Sequence, residues 1–298
     1  MTNYKHIWYS SHDGLKLYAR DYKPDCQPNR QSLGADEKAK PAVLCMHGLT
    51  RNSADFEGIC QQLADKYRLI VVDQRGRGLS AYDSESANYQ PNVYVDDMFT
   101  LLKQLNISSV TLIGTSMGGI MAMMMAAMQP ELIKGLIIND IGPELNPVGL
   151  ARIQSYVGKA VSVSSWQDAA RTSKQTNGSA FPDFSEQDWL DFAQRTYRAD
   201  KSGIPVLDYD PAISTPIKAS SGQSLALDLW PVFEQCIEKP MLLLRGELSD
   251  LLAMSCVEKM HSRKADLSFV QVPNVGHAPF LDEAIAVTSI KQFLQAID

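Results

Sequence analysis

The chain predicts an α/β protein, with a mainly parallel twisted sheet, helices on both of its faces and a helical insertion. Three observations predict it. After Pro41 short apolar runs recur with helix-period segments between them. The stretch 146–235 breaks that alternation. Ser116 occupies a glycine-flanked turn between an apolar run and a helical run.

The elements follow in order. His6–Ser10 and Leu15–Tyr22 read as two β segments turned by His12-Asp13-Gly14, because Asp-Gly supplies the positive φ of a tight hairpin. The polar stretch from Cys26 to Lys40 reads as a surface loop. Ala42–Met46, Leu69–Val72, Val110–Ile113, Gly135–Ile138, Met241–Leu244 and Leu267–Val272 are apolar on successive residues, the pattern of parallel strands buried on both faces. Between them Val95, Met98, Leu102 and Leu105 recur at helical spacing, as do Ile290, Phe293, Leu294 and Ile297 near the C-terminus. Alternation of this kind builds a parallel sheet with crossover helices.

Between Asn146 and Gln235 no buried strand is evident, and Trp166, Phe184, Trp189, Phe192, Tyr197 and Trp230 punctuate amphipathic segments. A structureless loop of that length is improbable in a packed domain. The expected organisation is a core of 1–145 and 236–298 carrying a mostly helical cap, 146–235.

Composition narrows the function. The 28 basic and 34 acidic residues give a net charge of -6, which argues against a nucleic-acid track. No secretory apolar run and no membrane-length apolar stretch is seen, so a cytoplasmic protein without membrane or nucleic-acid partners, monomeric or homodimeric, is expected. Cys26, Cys45, Cys60, Cys236 and Cys256 are scattered, without metal-ligand spacing or pairing, so no metal and no disulfide framework is expected.

Gly114-Thr115-Ser116-Met117-Gly118-Gly119 follows the run Val110–Ile113 and precedes the helical run from Ile120 to Met128. A serine there must sit in a tight turn, and the small residues two positions to either side let neighbouring backbones pass. The hydroxyl is then presented above the sheet as a nucleophile, which requires a base. Of the five histidines, His6 and His12 lie by the hairpin, His261 falls in a polar run, and His47 reads as a residue shaping its loop. His277, in Val275-Gly276-His277-Ala278-Pro279, emerges past the last strand at the carboxyl edge of the sheet, where open α/β sheets bind ligands.

The base in turn needs a carboxylate to orient it. Asp250, in Arg245-Gly246-Glu247-Leu248-Ser249-Asp250, and Asp140, in Ile138-Asn139-Asp140-Ile141-Gly142-Pro143, both lie at this edge, and chain order does not decide between them; Glu247 is a weaker third choice. Donors for a developing oxyanion are expected from the backbone N–H groups of Met117 and of Leu49, whose loop leaves Ala42–Met46 at the same edge. Arg51, Asp55 and Phe56 follow that loop as candidate pocket residues. The methionines of the helix after Ser116 read as core.

These residues resemble the α/β-hydrolase superfamily, in its cap-bearing esterase, lactonase and carbon–carbon hydrolase branch. The resemblance rests on His47-Gly48, Asp73–Ser80, Gly114–Gly119, the Gly246 to Asp250 turn and Gly276–Pro279, in that order. It implies that the carboxylate after the penultimate strand is the acid, which favours Asp250, that Asp73–Ser80 is a structural turn, and that the cap follows the sixth strand. It also implies a cofactor-free serine hydrolase acting on a small ester-like substrate through an acyl-enzyme. Lactonase, carbon–carbon hydrolase, thioesterase, acyltransferase and perhydrolase chemistry share the same residues, and a non-catalytic ligand receptor on the same fold is the alternative from another class. A serine nucleophile is unlike the aspartate of haloalkane dehalogenases and epoxide hydrolases, and the loop after His47-Gly48 lacks the glycine run of HGGG-type esterases.

Overall fold

The computed structural model describes residues 4–22, 40–159, 161–220 and 228–298, with the side chains of 218–220 excepted. Most of the expected polar loop, and Cys26 within it, lies outside the described residues.

Eight strands form one sheet: β1 (Lys5–Ser10), β2 (Lys16–Tyr22), β3 (Ala42–Met46), β4 (Arg68–Asp73), β5 (Val110–Thr115), β6 (Ile133–Asn139), and two later ones, β9 (Met241–Gly246) and β10 (Ser268–Val272). Their spatial order is β1-β2-β4-β3-β5-β6-β9-β10. The hairpin strands β1 and β2 pair antiparallel and β2 joins β4 antiparallel, whereas every pair from β4 to β10 is parallel. The predicted mainly parallel sheet is the one observed.

Continuous apolarity along the central strands has a direct structural reason. Leu44 and Met46 of β3 point into a core on one face, with α2 (Pro91–Gln104) and α3 (Met117–Met128). Val43 and Cys45 point into the other, with α1 (Glu57–Leu63) and α10 (Ala284–Ile297). Because successive side chains alternate faces and both faces are covered, these strands favour apolar residues at successive positions. The methionine helix α3 is core, with Met121, Met123 and Met125 wholly buried.

The chain leaves the sheet after β6 and returns at β9. Between them lie α4 (Pro147–Tyr156), α5 (Trp166–Asn177), α6 (Glu186–Thr196), β7 (Tyr197–Ala199), β8 (Pro205–Leu207), α7 (Thr215–Ser220) and α8 (Trp230–Gln235). The sequence pattern missed the β7–β8 ribbon, whose three-residue strands are too short to show a period. Trp189, Phe192, Phe181 and Tyr197 give this segment a small core of its own. Ser185 and Asp188 start α6 with reciprocal side chain to backbone bonds. Helix α9 (Met254–Arg263) connects β9 to β10.

Candidate active site

Ser116 sits between β5 and α3 with φ 53 and ψ -117, a left-handed conformation unfavourable for a residue with a side chain. Its surroundings over-determine it: its N–H donates to the Asn139 carbonyl at 2.9 Å, and its own carbonyl accepts from Gly119 at 2.8 Å. The flanking glycines are sterically required. A Cβ on Gly114 would lie 2.1 Å from the Gly118 carbonyl oxygen, and one on Gly118 would lie 2.0 Å from that of Met46.

The hydroxyl reaches His277. Ser116 Oγ lies 2.8 Å from His277 Nε2, and His277 Nδ1 lies 2.8 Å from Asp140 Oδ2. A carboxylate only accepts, so Nδ1–H donates to Asp140 and Nε2 is left to accept the serine proton. The loop bearing His277 is fixed from two sides: Gly276 N–H donates to the Ala180 carbonyl at 2.6 Å, and Asn139 Nδ2 to the Pro279 carbonyl at 2.7 Å.

Asp140, not Asp250, is therefore the carboxylate on His277, which corrects the preferred expectation. Asp140 is fully buried at the end of β6, with φ 57, and takes two further bonds, from Gly246 N–H at 2.9 Å and Ser249 Oγ at 2.7 Å. Because β6 and β9 are neighbours, the loops after both strands open beside His277. In the turn after β9 the side chain aimed inward is Ser249. Asp250, one residue on, turns to α4 and forms a two-point pair with Arg152 at 2.5 and 2.9 Å. Arg152 holds the Asp250 carboxyl below its ordinary range. Glu247 instead accepts from Asn274 N–H at 3.0 Å. Ser249 and Arg152 were not foreseen, since only contact across loops distinguishes them from other polar residues.

The expected oxyanion loop lies against Ser116. A methyl on Gly48 would sit 3.6 Å from Ser116 Cβ. Among the described residues the N–H groups of Leu49 and Met117 meet no acceptor. His47 explains the direction of the first. Its Nε2 accepts from Gln74 N–H at 3.1 Å, so its proton is on Nδ1, which donates to the Gly48 carbonyl at 2.7 Å. In a trans peptide the carbonyl and the following N–H point opposite ways, so gripping the Gly48 oxygen turns the Leu49 N–H outward from the grip. Burial pushes His47 down to about 3, keeping it neutral. Arg77 Nε holds the Leu49 carbonyl at 2.9 Å. The turn 73–80 is knit by the buried Asp73, which accepts from Ser53 N–H at 2.7 Å and Leu79 N–H at 2.9 Å.

Above Ser116 and His277 a cavity of about 150 Å³ opens between the sheet edge and the 146–235 segment. Arg51, Asp55 and Phe56 line it as expected candidates, together with Tyr156, Phe192 and Phe280, which were not anticipated. Of the other histidines, His6 bonds the Tyr18 hydroxyl and His261 stacks edge-on to Phe269, away from this cavity. Among the described residues no three His, Cys, Asp or Glu side chains are grouped to hold a metal ion, and no helix is long and apolar enough to cross a membrane.

A family model for the alpha/beta hydrolase fold matches residues 41–284. The chain belongs to that family. This α/β hydrolase is 35% identical over 256 residues to the 3-hydroxybutyrate-oligomer hydrolase of Cupriavidus necator, covering 83% of this chain and 87% of the relative. It is 28% identical over 270 residues to the 2-(acetamidomethylene)succinate hydrolase of Mesorhizobium japonicum, covering 90% and 92%. An α/β hydrolase of Novosphingobium aromaticivorans has a solved structure that superposes with a TM-score of 0.89 at 38% identity over 99% of both chains.

Proposed function

We propose that this α/β hydrolase cleaves carboxylic esters by a serine acyl-enzyme route, with Ser116 as nucleophile, His277 as base and Asp140 as the acid that orients it. The observation that carries the reading is the unbroken hydrogen-bonded chain from Ser116 through His277 to Asp140 at the floor of a cavity.

In the proposed cycle Ser116 Oγ attacks the ester carbonyl as its proton passes to His277 Nε2. Asp140 stabilises the imidazolium and keeps the productive tautomer. The carbonyl oxygen, now negative, accepts from the N–H groups of Leu49 and Met117, the latter at the positive end of α3. His277 then protonates the departing alcohol, and water activated by the same base releases the acid. All the protons move within this set of residues, and no cofactor enters.

The 146–235 segment acts as a cap that closes over the substrate. The Arg152–Asp250 pair and the bond from Gly149 N–H to the Asp250 carbonyl at 3.1 Å tie α4 to the edge of the sheet. The cavity mixes aromatic rings with hydroxyl and amide groups such as Thr172, Thr176 and Asn177, which suits a short, oxygen-rich acyl chain better than a long lipid. Together with the likeness to a hydrolase of 3-hydroxybutyrate oligomers, this favours esters of short hydroxy acids.

The test is a p-nitrophenyl ester series of increasing acyl length, run with active-site labelling by a fluorophosphonate. Short esters should be hydrolysed, and the label should map to Ser116 and vanish in Ser116→Ala. An unlabelled Ser116 would instead mark a ligand receptor on a hydrolase fold.

A further inference from the structure

Arg51 lies just beyond the oxyanion loop and pairs with Asp55 one helical turn on. Its Nε and Nη2 donate to the two Asp55 oxygens at 2.7 and 2.6 Å. A purely structural ion pair would end there, stiffening the loop. Two observations go beyond that role. Nη1, with two N–H donors, meets no acceptor among the described residues, yet the side chain is only 16% exposed. The guanidinium is also packed against two rings: Phe192 of α6, 4.4 Å away, and Phe280 of the loop that bears His277, 5.1 Å away.

The arginine shares the reaction cavity. Arg51, Phe192, Phe280 and Ser116 all line it, and a methyl placed on Gly48 would touch Arg51 Cγ and Ser116 Cβ alike, each at 3.6 Å. The arginine stem therefore starts beside the nucleophile, and its head lies one side-chain length further along the wall. Ring packing and the bidentate aspartate hold the head in one orientation, so a ligand acceptor meets a pre-organised donor. Because Asp55 already balances the charge, the free edge suits an uncharged carbonyl oxygen as well as a carboxylate.

We propose that Arg51 Nη1 recognises a second carboxyl oxygen of the substrate, placed one hydroxyacyl unit from the scissile ester. The proposal rests on the Ser116 esterase reading and adds a specificity residue to it. A substrate with one carbonyl leaves Nη1 without a protein or ligand acceptor; a hydroxy-acid dimer or longer oligoester satisfies it. Arg51 takes no part in bond making, so its contribution falls on substrate affinity.

The experiment measures kcat and KM for three probes: the linear 3-hydroxybutyrate dimer as the free acid, its methyl ester, and p-nitrophenyl butyrate. Wild type, Arg51→Gln and Asp55→Asn are compared. Arg51→Gln should lower kcat/KM on the dimers by about ten- to a hundredfold more than on p-nitrophenyl butyrate, mostly through KM, as expected for a lost charge-assisted hydrogen bond. A larger loss on the free acid assigns the ligand as a terminal carboxylate; equal losses on acid and methyl ester assign it as an ester carbonyl, and both support the proposal. Asp55→Asn, which keeps the guanidinium and its ring packing but loosens its hold, should lower the preference for dimers by less than Arg51→Gln does. Equal losses on all three probes in Arg51→Gln, or a loss of dimer preference in Asp55→Asn as large as in Arg51→Gln, would overturn it in favour of a loop-stiffening pair. Failure of wild type to take a fluorophosphonate at Ser116 would overturn the esterase reading itself, a separate result.

Discussion

Replacing Asp140 by Asn tests the role proposed for the buried carboxylate. Asp140 accepts three bonds at once, from Gly246 N–H, Ser249 Oγ and His277 Nδ1, at 2.9, 2.7 and 2.8 Å. An amide of the same shape keeps its oxygen on Gly246 N–H, which can only donate, and so turns its NH2 toward His277. His277 then accepts at Nδ1 and carries its proton on Nε2, facing Ser116 Oγ, where it cannot take up the serine proton. Loss of the productive tautomer in such a triad lowers kcat by about 10⁴, close to 5 kcal/mol of barrier. Asp250→Asn weakens a partly exposed ion pair with Arg152, worth roughly 0.2–1 kcal/mol, and should change kcat by less than about tenfold. Both variants are assayed on p-nitrophenyl butyrate near neutral pH, with thermal unfolding to confirm that each is folded. If Asp250→Asn proves the more damaging change in a folded enzyme, the assignment of the acid is wrong.

Other expectations follow from the same contacts. Ser116→Ala should lower kcat on the order of 10⁶-fold in steady-state assays while thermal unfolding shows an intact fold, because the proposed mechanism gives this side chain the nucleophile's role and it carries little packing. His47→Phe should lower kcat on the order of 10²-fold with little change in KM, since it frees the Gly48 peptide and loses the aim of one oxyanion donor; a change confined to KM would count against that donor. Gly118→Ala should cost more than roughly 3 kcal/mol in urea unfolding, because its methyl would stand 2.0 Å from a backbone oxygen that cannot move aside. Asp208, 15% exposed at the join between the inserted segment and the core, is pushed up to about 6 by burial and then by the Asp73 charge. Between an unfolded value of about 3.9 and the folded value the native state binds the extra proton, so this group makes stability fall as pH rises across that window, by at most roughly 2–3 kcal/mol. Asp208→Asn should flatten the slope of melting temperature against pH from about 4 to 6, and an unchanged slope would remove Asp208 from the account.

The scaffold was legible because its signals are local. Apolar runs such as Ala42–Met46 become strands at the same residues, since burial on both faces leaves no polar position to blur the pattern. Ser116 could be singled out for a related reason: a strand, a tight turn and a helix in succession force small residues at 114 and 118, and those glycines are visible in the chain. The β7–β8 ribbon was not visible, because strands of three residues leave no period to read.

The acid shows where local signals stop. Sequence alone indicated a mainly parallel α/β sheet, a long excursion over 146–235, and a serine and a histidine at one edge of the sheet. It also narrowed the carboxylate to Asp140 and Asp250, with Glu247 a weaker third, since Asp140 and Asp250 each follow a strand that ends beside His277. Only the tertiary structure decided between them. Direction in a turn depends on what packs around it: with β6 beside β9, Asp140 is swallowed at the joint between them, and Ser249 turns inward to bond it. Asp250 is left facing Arg152 of α4, a residue 98 positions away that no local pattern connects to it.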